Sequence, residues 1–357
     1  MTAKARGRWL FVGVASVSAV ALLAGFQAAP DERPPLSDAA VSGAPQAPPV
    51  RLPVSVMDAA SVYVVYVDRA AGISPAFTDG ASIQTSLRSA EAYESKQMQR
   101  GIAAYAAIVA LQEPTFVASV RQFGVDPTQR AQVAAALIAD PRYAESFTGA
   151  DRAAGLIVAA LTEQGQRVLD TGKKVKQEAY DVQHQQWSKG FVPDRDGRLA
   201  LAKSLSETPL TPDADAEARM VQASTGATPL LVSGGPDSGP YTSLVDRALA
   251  VAAIAALGAG SEDNNEQINA VLTDPDEDVC LHDAKLNLYQ CLAVAKPHYE
   301  DVFCMGQHIL MDTGSCIIKG VTPRPVAPPV LIAAADTKPE PVKKAKGGHR
   351  RKHSVHS

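Results

Sequence analysis

The chain has 357 residues, 46% of them hydrophobic and only 5% aromatic, with four cysteines and 25 each of glycine and proline. That composition suffices for a sizeable core and excludes a chain disordered throughout, while the lack of a Gly-X-Y period excludes collagen. The formal net charge of −4 hides a segregation: residues 1–53 carry five basic and three acidic groups, residues 54–320 carry 21 and 33, and residues 321–357 carry eight and two. An acidic body should repel nucleic acid, so contact with a polyanion falls to the basic tail.

Lys4, Arg6 and Arg8 precede an uncharged run from Trp9 to Phe26, the layout of a secretory signal. The run is the only long uncharged apolar stretch, which excludes a multi-pass membrane protein. Residues 1–29 are therefore expected to export the chain, either as a cleaved signal peptide or as a single transmembrane signal anchor. With no cysteine following the run, a lipoprotein anchor is not expected. Residues 30–53 hold Pro30, Pro34, Pro35, Pro45, Pro48, Pro49 and Pro53, and are expected to form an extended tether.

Beyond the tether the expected fold is all-α, an irregular multi-helix body. Ser61–Val67 is β-prone in composition, yet Asp58 and the alanines on either side favour a helix. A helix is expected over 83–112, ended by Pro114. Asp126-Pro127, Asp140-Pro141 and Asp274-Pro275 each combine a capping carboxylate with proline at the first helical position. A long helix over 150–188 should become a solvated ridge in its second half, through Lys173, Lys174, Lys176, Gln183, Gln185 and Gln186. Further helices are expected at 198–206, 213–223, 241–257 and 265–272. The glycine- and proline-rich run 233–240 marks a candidate boundary between helical domains at 54–232 and 241–320.

Cys280, Cys291, Cys304 and Cys316 all fall within 37 residues, an even number in a chain expected to be exported, so disulfides are the default. Four cysteines allow three connectivities. Residues 283–295 and 298–312 read as two helices with a turn at Lys296-Pro297, and facing residues of an antiparallel hairpin have nearly constant number sums. Cys291 with Cys304 gives 595 and Cys280 with Cys316 gives 596, which selects the nested pairing. Eleven residues are about three turns, so Cys280 and Cys291 share one helical face. This arrangement, Cys280-x10-Cys291 and Cys304-x11-Cys316, resembles the twin Cys-x(n)-Cys helical hairpins of small mitochondrial intermembrane-space proteins, with longer spacings. The resemblance covers about a tenth of the chain and implies a shared geometry alone. His282, His298 and His308 among the cysteines leave a metal site or redox thiols as competing readings, although the tight ligand pairs usual for zinc are missing.

No nucleophile elbow, His-Glu-x-x-His or phosphate-binding Gly-x-x-x-x-Gly-Lys-[Ser/Thr] occurs, and no catalytic residue, metal or cofactor is assigned. Asp194-Arg195-Asp196-Gly197 reads as a turn and helix cap rather than a calcium loop, and Asp274, Asp276, Glu277 and Asp278 as a solvated helix start. Trp187 is expected to tuck back into the core. Residues 321–357 are proline-rich and then basic, and are expected to be disordered. Lys343, Lys344, Lys346, Arg350, Arg351 and Lys352 are candidate contacts to an anionic lipid or cell-wall polymer, and His349, His353 and His356 could bind a transition metal weakly. The leading expectation is a non-enzymatic scaffold or binding protein of the periplasm or cell envelope, with a periplasmic hydrolase of envelope polymers as the alternative.

Overall fold

Helix signals and apolar periodicity recur along most of the chain, and the computed structural model, which describes residues 46–323, is correspondingly all-α. Among the described residues there are thirteen α-helices and no strand. Residues 1–29, expected to direct export, residues 30–45 of the expected tether and the basic tail lie outside the described residues. No single described helix is long and apolar enough to cross a membrane.

The last part of the expected tether is extended but belongs to the body. Arg121 donates to the carbonyls of Ala47 at 3.1 Å and Pro48 at 2.9 Å, and Pro53 is buried at the head of the first helix. Helix α1 (Val54–Ala71) absorbs the β-prone valines because Val56, Ala60, Tyr63, Val67 and Ala70 recur at helical spacing on its buried side. Where one helix was expected over 83–112 there are two, α2 (Gly80–Glu91) and α3 (Ser95–Ala110). The break has a local cause. Glu94 turns its carboxylate onto the amides of Lys96 at 3.0 Å and Gln97 at 2.6 Å and so starts α3 afresh, while Tyr93 is buried between the two helices.

Carboxylate caps start the next two helices, Glu113 for α4 (Pro114–Arg121) and Asp126 for α5 (Pro127–Ala139), each followed by proline at the first position. Asp140-Pro141 opens only a short 3₁₀ turn. Helix α6 (Ala150–Val182) is the long element. It is followed by α7 (Arg195–Glu207), α8 (Ala214–Ser224), α9 (Ser243–Ala256) and α10 (Asn265–Val271). Asp194 caps α7 from a left-handed backbone conformation (φ 47°), accepting from Gly197 N at 3.0 Å. Trp187 is half-buried against the core.

Helices α1, α3 and α9 form the apolar centre, with α3 buried continuously from Gly101 to Ala110 and α9 buried over nearly its whole length. Because α9 packs against α3, the run 233–240 is a surface crossing within one packing unit and does not separate two domains. Its Gly234 and Gly235 lie against Gly155 of α6, and Asp237 N donates to Asp151 O at 2.9 Å.

The second half of α6 is also different from the expected ridge. Lys173, Lys174 and Gln177 face solvent, but Val168, Thr171, Gly172, Val175, Ala179 and Val182 form a buried face that seats the C-terminal helices. Those helices are α12 (His298–Cys304) and α13 (Asp312–Val321), joined by a π-helical stretch at Met305–Met311, while α11 (Pro275–Val294) packs against α13, α7 and α3 instead. Contact with α6 is backbone to backbone. A Cβ on Gly306 would lie 2.5 Å from Lys176 N, and one on Gly314 would lie 2.6 Å from Leu169 N and 2.7 Å from Gly165 O. Only glycine permits that separation.

Candidate functional site

The C-terminal hairpin carries the covalent framework. Helix α11 starts at Asp274, whose carboxylate accepts from Asp276 N at 3.0 Å and Glu277 N at 3.2 Å. It ends at Ala295, where Pro297 redirects the chain into α12. Cys280 is bonded to Cys316 and Cys291 to Cys304, with Cα separations of 5.8 and 5.6 Å. All four sulfurs are thereby occupied, and among the described residues no group of three or more His, Cys, Asp or Glu could hold a metal ion. His308 instead lies 3.4 Å from Asp312, and the ring of His298 packs against Gly80.

The hairpin tip is clamped from outside. The segment after α6 runs alongside it, with Val192 N donating to Lys296 O at 2.8 Å and His298 N to Gly190 O at 3.1 Å. Within the turn, Glu300 accepts from Lys296 N at 2.7 Å. Two arginines of α7 then satisfy carbonyls at the end of α11: Arg195 donates to Ala295 O at 2.9 Å, and Arg198 donates to Leu292 O. A cation suits that position because the C-terminal carbonyls of a helix carry its negative dipole end. Arg198 also pairs with Asp301 of α12, which accepts from Gln84 of α2 at 2.7 Å as well. Both members of the pair are buried, and burial raises the Asp301 pKa despite the guanidinium beside it.

A second buried polar group ties α11 to α2 and the loop after it. Lys285 donates to Glu91 O and stands over the Tyr93 ring, 3.4 Å from its centroid. The Tyr93 hydroxyl shares a 2.8 Å hydrogen bond with Thr313 of α13. Desolvation holds the Lys285 pKa well below its ordinary range and raises Glu91 to about 7, the Lys285 charge opposing that rise. These groups are enclosed by α2, α3, α11 and α13, and their role is to fix the hairpin on the body. The sequence reading missed them. A signal was present, since Lys285 interrupts the apolar spacing of Leu281, Leu288 and Leu292 on one helical face.

On the outer side of the inner disulfide, the end of α6 and the hairpin tip enclose a cavity of about 320 Å³. Tyr180, Val294, Tyr299 and Phe303 line it together with Cys291 and Cys304. Tyr180 and Phe303 meet edge to face at 6.2 Å, and Lys176 lies 5.5 Å over the Phe303 ring. A second hollow adjoins it through Gln183, Tyr299 and Glu300 and continues to His184, Lys189 and Phe191. Phe191 is 69% exposed and Val294 73%, so the groove presents apolar surface to solvent. Sequence reasoning missed this groove because its walls come from segments more than 100 residues apart. The acidic cluster at the start of α11 also departs from expectation: Asp274 and Glu277 are buried rather than solvated.

Tail residues Lys343, Lys344, Lys346, Arg350, Arg351 and Lys352 lie outside the described residues. Compared with known proteins, the chain matches no family model, no curated protein and no solved structure.

Proposed function

We propose that this chain is an exported protein of the cell envelope that works by binding, with the aromatic groove at the hairpin tip as its main contact surface. The observation that carries the reading is the groove itself, a concave surface with exposed Tyr180, Val294 and Phe191, built beside a disulfide and held by the arginine clamp. Ligand sites typically combine apolar and aromatic walls with a few polar groups, and exposed apolar side chains gathered in one hollow mark a contact surface. Two disulfides support an oxidising compartment, and the Trp9–Phe26 run behind a basic flank supports export to it. The basic tail supplies a second contact, electrostatic in kind, toward anionic lipid or cell-wall polymer.

The test is affinity capture from envelope extracts with the full mature chain and with a Tyr180→Ser, Val294→Ser double variant. Both positions are exposed, so the variant should keep its helical circular dichroism while losing the captured species. Equal capture by both would remove the groove from the function. In the same assay with anionic vesicles at low salt, deleting residues 338–357 should weaken binding, because exposed charges act through screened fields. A reporter active only in the cytoplasm, fused after Ser357, should be silent; activity there would overturn export.

A further inference from the structure

Helix α11 keeps one face uncovered. Val279, Leu286 and Val294 are 58%, 40% and 73% exposed, and Ala293 is exposed beside them. One exposed apolar residue is ordinary on a protein surface, but these recur every seven or eight residues and so form a stripe about 22 Å long on one side of the helix. Charge brackets it: Asp276 is exposed at its N-terminal end, and Lys296 just past its C-terminal end.

The chain supplies a segment that matches this face. Helix α13 runs antiparallel to α11 within the hairpin and ends at Val321 beside the first turn of α11, where a Cβ on Gly320 would lie 2.8 Å from Glu277 Oε2 and the Cys280–Cys316 bond ties the two helices. Thr322 leaves the helix in extended conformation (φ −103°, ψ 111°). Pro323, Pro325, Pro328 and Pro329 then exclude a continued helix. Between Arg324 and Asp336 lie eleven residues, Pro325 to Ala335, all of them proline, valine, leucine, isoleucine or alanine.

We propose that residues 324–336 dock along the exposed face of α11 as an extended strap, with Val326, Val330, Leu331 and Ile332 covering the apolar stripe, Arg324 facing Asp276 and Asp336 facing Lys296. The lengths agree. In polyproline II conformation the twelve steps from Arg324 to Asp336 reach about 37 Å, while Asp276 to Lys296 spans about 30 Å of helical rise, which leaves about two residues for the turn out of α13. The charges agree as well, since each end of the strap carries the sign opposite to the end of the stripe it meets. An extended strap suits this face better than a helix from a second copy. His282 and Gln290 are exposed between the apolar residues, and a polyproline backbone, with no internal hydrogen bonds, offers them carbonyls that a helix keeps for itself.

Docking has two consequences. It takes residues 324–336 out of the tail expected to be disordered and leaves that expectation to residues 337–357 alone. It also brings the basic residues 343–352 to the same end of the hairpin as the aromatic groove, because Asp336 comes to Lys296, which lines the outer part of that groove. The stripe and the groove share Val294 and Lys296, yet docking needs no ligand in the groove, so the failure of either leaves the other standing.

Zero-length carbodiimide coupling joins a carboxylate to a lysine only where the two touch. Applied to a mixture of isotopically light and heavy full mature chains, it should yield an Asp336–Lys296 link within single chains. No such link, or links of mixed isotope that place the strap on a second copy, would overturn the proposal. A second measurement replaces residues 325–335 by glycine and serine in the full mature chain and titrates it with a labelled peptide of residues 324–336. Saturable binding is expected, at least about tenfold tighter than to wild type, whose own strap competes at millimolar effective concentration. Adding Leu286→Ser to the replaced chain removes the central apolar contact at an exposed position and should weaken the peptide about fivefold. Equal binding by wild-type and replaced chains, or by the replaced chain with and without Leu286→Ser, would count against the strap as decisively as a missing link.

Discussion

The centre of the molecule and its C-terminal hairpin are both helical, yet they are held by different forces. In α3 and α9 most inward residues are alanine, valine, leucine or isoleucine, and the helices approach closely because the side chains are small. The one buried acid on α9, Asp246, has its pKa raised to about 7, chiefly by burial and then by Glu145. Burial of apolar surface suffices there, at about 25 cal/mol per Å². The hairpin, by contrast, places Lys285, Asp301 and the Arg198 guanidinium under its helices and leaves Val279, Leu286 and Val294 exposed. Two covalent bonds hold its own helices together, and two buried polar groups and a glycine crossing seat it on the body. The hairpin also buries Leu281, Leu288, Leu292, Val302, Ile309, Leu310 and Ile317 in the core, so these directional contacts add to apolar burial there and tolerate little variation.

That contrast can be broken most sharply at the buried ion pair. Asp301→Ala leaves the Arg198 charge uncompensated under α12 and should cost about 3–5 kcal/mol in urea unfolding. Replacing both partners, as Arg198→Met with Asp301→Leu, should recover most of that loss, because removing a buried pair also removes its desolvation cost. A double variant no more stable than Asp301→Ala would mean that the pair itself supplies net stability.

The covalent contribution comes next. Cys280→Ser with Cys316→Ser opens a loop spanning 36 residues in sequence, and should cost about 2–4 kcal/mol. Limited proteolysis should then cut first within 275–321 while the helices before Gly234 persist, and non-reducing peptide mapping of the wild type should return only the nested pairs. First cuts in α3 or α9 would show that the two regions unfold as one.

The glycine crossing should give the smallest effect. Gly314→Ala puts a methyl 2.6 Å from Leu169 N and 2.7 Å from Gly165 O, so the helices must part, at about 1–3 kcal/mol. Lys174→Ala, on the exposed side of α6, serves as the control and should change stability by less than about 0.5 kcal/mol. Equal effects of the two substitutions would refute a backbone-to-backbone seat.

Much of this architecture is local and was legible for that reason. Asp126-Pro127 and Asp274-Pro275 are capping signals that need no tertiary partner, and they start α5 and α11 as they stand in the sequence. The cysteine numbers select a nested pairing because an antiparallel hairpin fixes its own register, and the bonds are Cys280–Cys316 and Cys291–Cys304. Gly306 and Gly314, facing Gly172 and Gly165, show what could not be read in one segment: their meaning exists only once the C-terminal helices cross α6. The same holds for Glu277, solvated by every local criterion and buried by α9 and α13, and for Tyr180 and Phe303, which become one groove through a fold that joins distant segments. Local chemistry along the chain is enough to say where most helices begin and which cysteines can meet. Packing decided which polar groups lost their water and which aromatics kept it, because solvation depends on what arrives from elsewhere in the chain.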